Sequence, residues 1–368
     1  MIRLAQIIET FEADFLAQYR DRLRPEHTRA LAAMKHCRTE ASPKMQVQCT
    51  GCAHRKLVPH SCGHRHCPHC QHHESQQWLE RQMRKQVPAE YFLLTFTLPS
   101  EFRALTWVHQ RIVYDLLMRC SWETVRTFSQ NDKQLRGTPG AIAVLHTNTR
   151  RLDYHPHVHL VMPAAALDTA QKQWRKKRRK GYLFNHKALA KVFRAKMLAA
   201  IEAAGLTLPG RYPKDWVVDC KAVGTGEKAL VYLGRYLYRG VIREQDIVAS
   251  NDGQVSFRYR NAKTGRMERR TVSGAQFLWL VLQHVLPKGF RRARNFGFLH
   301  PNCKRLIALL QLLLKFVPGQ AAALVRERSP ILCACCGAVM VIVQTRLRST
   351  FSGPMPVPIA TPGVASTM

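Results

Sequence analysis

The sequence predicts an α+β protein in which a sheet with flanking helices follows a small metal-nucleated domain. Three observations predict it. Apolar runs of strand length recur at Tyr91–Leu98, Ile142–Leu145, His155–Met162, Trp216–Val218 and Val255–Tyr259. Helical patterns fall between them at about 103 to 129, 187 to 204 and 226 to 242, so the crossovers are unequal and no regular βαβ alternation results. Ahead of them, residues 36 to 73 are poor in apolar side chains and dense in cysteine and histidine.

Each element has its own local reason. Leu4, Ile7, Ile8, Phe11 and Phe15 recur at helical spacing, which predicts one or two packing helices within residues 1–35. A cysteine-rich domain is expected over 36–86, ending in a polar helix at about 74 to 86 that Pro88 stops. The main α+β domain is expected over 87–300. In it, Asn261 to Arg266 with Gly265 reads as a turn joining Val255–Tyr259 to Met267–Val272, and Ser273 with Gln276 forms a capping box that opens a helix. A basic and aromatic segment, Lys288–Phe296, follows Pro287. Residues 301–347 then carry a leucine-rich helix at about 303 to 316 and a cysteine knuckle, and 348–368, rich in Pro, Ser and Thr, reads as a disordered tail.

Of 368 residues, 57 are Lys or Arg against 24 Asp or Glu, a formal net charge of +33. Charge of this size, spread along most of the chain, calls for a polyanion, and nucleic acid fits best because each neutralised phosphate releases counterions. The sequence has no apolar stretch of about 18 residues to span a bilayer, and its start lacks the apolar core of a signal peptide. The expectation is a cytoplasmic, nucleoid-associated protein with DNA rather than membrane as partner.

Six of the 12 cysteines lie between Cys37 and Cys70, and in a reducing compartment such crowding reads as metal binding. Cys49-Thr50-Gly51-Cys52 and Cys67-Pro68-His69-Cys70 are two C-x-x-C knuckles. Four thiolates from such a pair can close a tetrahedron around a structural zinc, so Cys49, Cys52, Cys67 and Cys70 are the expected ligands. Cys37, Cys62 and His66 are near enough in sequence to substitute. A further knuckle, Cys333-Ala334-Cys335-Cys336, could take a second zinc with His300 and Cys303.

On an extended segment side chains alternate, so His155, His157 and His159 share one face while Val158 and Leu160 point to the other, toward a core. Two or three imidazoles on that ridge can hold one divalent ion. Downstream, Glu227 to Arg239 reads as a helix on which Tyr232 and Tyr236, four apart, share a face, as do Arg235 and Arg239, while Tyr238 points elsewhere.

The triplet His157-Val158-His159 followed by Tyr-x-x-x-Tyr resembles the signature of the HUH endonucleases. Together with Ser61–Cys70, Phe96-Thr97-Leu98-Pro99 and His284–Phe290, it is similar to the two-tyrosine transposases of rolling-circle insertion sequences, the insertion-sequence ninety-one-like family, which carry a zinc-binding domain. The resemblance implies an HUH-type fold with a five-stranded central antiparallel sheet and flanking helices. It implies Mg or Mn at His157 and His159, single-stranded DNA as substrate, and Tyr232 and Tyr236 as nucleophiles that leave a 5′-phosphotyrosine and a free 3′-hydroxyl. An oxygen ligand should complete such a hard-ion site, and Glu227, Asp153 and the third histidine, His155, are the candidates for the remaining ligand. Arg235 and Arg239 would bind phosphate, and Arg175, Lys176, Lys177, Arg178, Arg179 and Lys180, with Trp174 and Tyr182, would track single-stranded DNA. The competing readings are a replication initiator or relaxase with the same chemistry, and a zinc-containing DNA-binding regulator without catalysis.

Overall fold

The computed structural model describes residues 2–319 and 330–347, apart from residues 71, 169, 172, 239 and 263 and the side chains of residues 72, 235, 236, 238 and 346. The expected tail at 348–368 lies outside the described residues. Along the chain the helices are α1 (Leu4–Tyr19), α2 (Pro25–Lys35), α3 (His72–Met83), α4 (Arg103–Val108), α5 (Gln110–Asn131), α6 (His186–Ala203), α7 (Glu227–Tyr238), α8 (Gly274–Leu282) and α9 (Lys304–Leu313). The strands are β1 (Lys44–Cys49), β2 (Arg55–Pro59), β3 (Tyr91–Thr97), β4 (Thr138–Asn148), β5 (Tyr154–Pro163), β6 (Ala165–Asp168), β7 (Gln173–Lys176), β8 (Val218–Ala222), β9 (Ile247–Asn251), β10 (Gln254–Arg260), β11 (Met267–Ser273), β12 (Ala293–Gly297) and β13 (Met340–Leu347). Two compact units result: Met1–Lys35 with Gly63–Glu327, and His36–Cys62 with Arg328–Met368.

The first unit is built on a sheet of order β7-β6-β4-β5-β3-β8, with β12 also paired to β4. Its pairings are antiparallel. The family resemblance implies five strands, whereas this sheet has seven, of which β6 and β7 form a ribbon continuing from β4. Alternation along the strands gives the sheet two apolar faces. Leu145, Val158 and Leu160 join Phe96 and the inward sides of α5 and α6 in one core cluster. Val144 and Val161 join Trp78 and Met83 of α3 and Leu230, Leu233 and Leu237 of α7 in the other.

Several boundaries differ from the sequence expectation, each for a local reason. The helix expected over 103 to 129 is two helices, because His109 takes φ −111° and ψ 42° and breaks the run. The strand expected at Trp216 begins at Val218: the Thr97 N–H still donates to the Val217 carbonyl, but the paired register of β3 with β8 starts at Val218. Half of the basic segment 288–296 becomes β12, which the charge pattern hid. The β10–β11 hairpin and the Ser273 cap, whose side chain accepts from the Gln276 N–H, fall where expected. Helix α1 lies against α8, where the Phe11 ring comes so close to Gly274 that a Cβ there would stand 2.2 Å from it. That contact admits only glycine.

The second unit is a three-stranded sheet of order β13-β1-β2. Its core is small: Val47, Cys49, Cys333 and Met340 are buried, with Cys52, Val58, Ile331 and Ala338 packed around them. A compact zinc domain over 36–86 was expected, but residues 63–86 belong to the first unit, while the C-terminal strand β13 pairs with β1 in the second. Among the described residues no helix is long and apolar enough to cross a membrane.

Candidate functional site

Strands β4 and β5 bring three imidazoles to one face of the sheet. His146 stands opposite His157, and Val144 opposite His159, so His146, His157 and His159 project toward the side that carries α7. One ring nitrogen from each lies within 4.8 Å of the others. The second nitrogen is occupied in two of them. His157 Nδ1 lies 2.7 Å from the His155 carbonyl and His159 Nδ1 3.2 Å from the Thr95 hydroxyl, which leaves Nε2 as the ligand atom.

Burial sets the protonation state. It pushes His157 down to about 3, helped by His159, and His159 down to about 4, with Asp219 opposing. His146 is driven well below the ordinary histidine range by burial and then by the two other rings. Neutral imidazole is the form that binds a metal, so the donor set fits a divalent ion.

The remaining candidate ligands are elsewhere. His155 shares the ridge but its Nδ1 lies 3.3 Å from the Arg103 guanidinium, outside the group of three. Asp153 is held by Arg270 at 2.8 Å. Glu227 opens α7, and five residues of helix turn it about 140° away from Tyr232, so it does not face the imidazoles. The third imidazole of the group is His146, which the sequence reading passed over, since the apolar run Ile142–Leu145 stops one residue short of it.

Helix α7 packs its Leu230, Leu233 and Leu237 side against the sheet and α3. Gly234 allows this, since the Trp78 ring lies 3.3 Å from where its Cβ would be. Tyr232 then stands over the imidazoles, its ring centroid 5.8 Å from that of His159 and 6.2 Å from that of His146, and it is 38% exposed. The side chains of Tyr236 and Arg235 and the whole of Arg239 lie outside the described residues.

A cleft of about 630 Å³ opens beside Tyr232, lined by Arg150, Arg243, Arg258, Arg260 and Arg292 and by one carboxylate, Asp246. Asp246 holds Arg243 at 2.6 Å and Arg258 at 3.1 Å. Sequence reasoning missed this cluster because the arginines come from four separated segments. The basic run is differently used. Arg175 pairs with Asp168 at 3.0 Å and Lys177 with Asp132 at 2.6 Å, Trp174 packs on Phe298, and Tyr182 lies under Lys177 and Arg179. Lys176, Arg178, Arg179 and Lys180 are exposed.

The four knuckle cysteines do not gather as one set. Cys49 and Cys52 meet Cys333 and Cys336 in the second unit, and Cys67 and Cys70 fall in the first, which leaves that pair to other ligands. His66 is engaged inside the first unit, where its Nε2 accepts from the Leu286 N–H at 3.2 Å. His300 and Cys303 do not complete the C-terminal knuckle either: the His300 ring accepts from the Asn302 N–H and the Cys303 thiol lies 3.8 Å from the Gly297 carbonyl.

Comparison with known proteins identifies the family. Residues 140–306 match a family model described as putative transposase, and residues 7–98 one described as transposase zinc-binding domain. A putative transposase of Sinorhizobium fredii, y4qJ, is 33% identical over 317 residues, 78% of this chain and 79% of that one. The transposase for insertion sequence element IS801 of Pseudomonas savastanoi pv. phaseolicola is 29% identical over 324 residues, 79% of this chain and 76% of that one. A metal-bound structure of the conjugative relaxase TrwC in complex with oriT DNA aligns with a TM-score of 0.28 and 15% identity over 54% of this chain and 72% of that one. With a relative this similar over most of both lengths, the chain belongs to the IS91-like family of transposases, enzymes that cut and rejoin DNA, and carries that family's zinc-binding domain.

Proposed function

We propose that the chain nicks single-stranded DNA at the ends of its mobile element and transfers the strand through a 5′-phosphotyrosine, with Tyr232 as nucleophile above His146, His157 and His159. The observation that carries this reading is the approach of the Tyr232 ring to His159 and His146 across the α7–sheet interface. The Tyr232 oxygen forms a bond to the scissile phosphorus, the bond from phosphorus to the 3′-oxygen breaks, the phenol gives up its proton, and the 3′-oxygen leaves as a hydroxyl. A divalent ion on the three imidazoles would polarise the phosphate oxygen under attack. The tyrosyl ester keeps the energy of the phosphodiester, so a second 3′-hydroxyl can rejoin the strand without ATP.

Tyr236, one helical turn on, is the second nucleophile on this reading, which lets one end stay covalently held while another is cut. Arg235 on the same helix, and Arg239, the residue that follows that helix in sequence, would meet phosphate, as would the arginines of the adjoining cleft and the exposed members of the run 175–180. The place of work is the cytoplasm, at the nucleoid.

The test is a covalent adduct. Single-stranded oligonucleotides carrying the element's ends should give a protein–DNA species that survives denaturant, requires a divalent ion and disappears in Tyr232→Phe, Tyr236→Phe. An adduct that persists in that double variant removes the assignment. Tight binding with no adduct under any ion would instead favour a DNA-binding regulator.

A further inference from the structure

The C-terminal knuckle lies outside both family matches, at 7–98 and 140–306. Yet its sulfurs meet cysteines up to 287 residues earlier in the chain. Cys49 Sγ is 3.4 Å from Cys336 Sγ, Cys52 Sγ is 3.8 Å from Cys333 Sγ and 3.7 Å from Cys336 Sγ, and all four sulfurs lie within 4.8 Å of one another. These are the edges of a metal tetrahedron, since Zn–S bonds of about 2.3 Å at tetrahedral angles place sulfurs about 3.8 Å apart.

Both arms are shaped for thiolate ligands. The Gly51 N–H donates to Cys49 Sγ at 3.3 Å and the Cys335 N–H to Cys333 Sγ at 3.4 Å. Each arm is a closed turn: the Cys49 N–H donates to the His54 carbonyl, and the Gly337 N–H to the Cys333 carbonyl, with Gly337 at φ +72°. The β1–β13 pairing, in which Cys49 faces Met340, brings the two turns together.

We propose that Cys49, Cys52, Cys333 and Cys336 bind one structural zinc, so that the zinc-binding part of this transposase is completed by a C-terminal knuckle. Four soft sulfurs leave no open position, which makes the ion a staple rather than a reagent. The unit needs one, because the described apolar cluster, with four buried side chains, is too small a core to fold alone. The inference stands apart from the strand-transfer reading and can fail without it.

Zinc per chain, measured by elemental analysis on the full-length holoprotein, tests it. Cys333→Ser, Cys336→Ser should lose one equivalent relative to the parent, and amide exchange across residues 44–59 should accelerate while β4 and β5 stay protected. Cys335→Ser and Cys303→Ser should each keep the parent content, because neither sulfur belongs to the tetrahedron. A double variant with full zinc, or a loss in Cys335→Ser or Cys303→Ser, overturns the assignment. Should the double variant not fold, Cys336→His keeps four ligands. After exchange to cobalt, the absorption of one bound ion should then shift from that of an all-thiolate site to that of three thiolates and one imidazole. An unshifted spectrum overturns the proposal equally.

Discussion

His146 stands directly across the β4–β5 pairing from His157, with ring centroids 5.3 Å apart, and its ring is only 4.2 Å from that of His159. On the proposed reading, that placement would make it a ligand of equal standing with His157 and His159. His146→Ala should therefore abolish adduct formation as fully as His157→Ala, and titration should show metal affinity falling by more than the roughly 10- to 100-fold that loss of an outer partner costs. His155→Ala should bind metal like the parent. Equal losses in the His155 and His146 variants would mean that the ridge, and not the cross-strand pair, holds the ion.

On the proposed reading Thr95 would be such an outer partner, since its hydroxyl at 3.2 Å from His159 Nδ1 would fix which nitrogen faces the ion. Thr95→Val keeps shape and removes the hydrogen bond, so metal affinity should fall by about 10- to 100-fold with the DNA dissociation constant unchanged. Thr95→Ser should restore it. Failure of serine to rescue would assign the effect to packing of the Thr95 methyl rather than to its hydrogen bond.

The ligand set also orders the metals. Three imidazoles are borderline donors, and of the two ions that the family resemblance implies they suit Mn2+ better than Mg2+. Half-maximal adduct formation should need less Mn2+ than Mg2+, by about 10-fold or more, in line with an affinity order that places hard, oxygen-seeking ions last at nitrogen sites. Equal requirements would point to an oxygen ligand that the three histidines do not supply.

The parts of this site differ in how far the sequence reveals them, for physical reasons. Strand alternation is local and put His155, His157 and His159 on one face, among which only the family resemblance preferred His157 and His159, while helical spacing, also local, put Tyr232 on one face with Tyr236. His146 was not legible, because its partner is fixed by the β4–β5 register, which slips at a bulge between His146 and Asn148. The same holds for zinc. Spacing paired Cys49 and Cys52 with the next knuckle along the chain, whereas the β1–β13 ladder selects one near the other end. The arginine cleft needed the third dimension too, and Arg175 and Lys177 needed their acids, Asp168 and Asp132, which lie on other segments.

Acid should weaken the first unit in a defined window. His27 is 1% exposed, stacks on Trp107 at 5.8 Å, and accepts from the Arg24 N–H through Nδ1 at 3.0 Å. Burial, with Arg24 second, pushes it down to about 4. The unfolded chain, titrating near 6.5, takes up that proton first, so the contribution is full above about pH 6.5, falls as the pH drops, and is gone below about pH 4. The difference corresponds to roughly 3 kcal/mol. Burial places His284 at about 4 as well, so the two losses fall in the same window. Denaturant melts from pH 7 to 4 should show the fall, and His27→Asn, which keeps an acceptor for Arg24, should make it shallower. An acid limb of unchanged slope in that variant would remove His27 from the account.

The cleft beside Tyr232 predicts which cations DNA meets. Asp246 already neutralises part of Arg243 and Arg258, while Arg150 and Arg260 line the same cleft, are exposed and form no ion pair among the described residues. If each of the latter contacts one phosphate, the slope of log affinity against log salt for single-stranded DNA should shrink by about 0.7 per residue removed, so about 1.4 in Arg150→Ala, Arg260→Ala. Arg175→Ala should leave the slope close to that of the parent, because its guanidinium is engaged by Asp168 at 3.0 Å. The reverse pattern, a lower slope in Arg175→Ala and none in the cleft variant, would move the strand from the cleft beside Tyr232 onto the β6–β7 ribbon. Since a phosphate must lie over the three histidines for Tyr232 to reach it, the cleft variant should also slow adduct formation at low DNA concentration and recover when DNA is saturating.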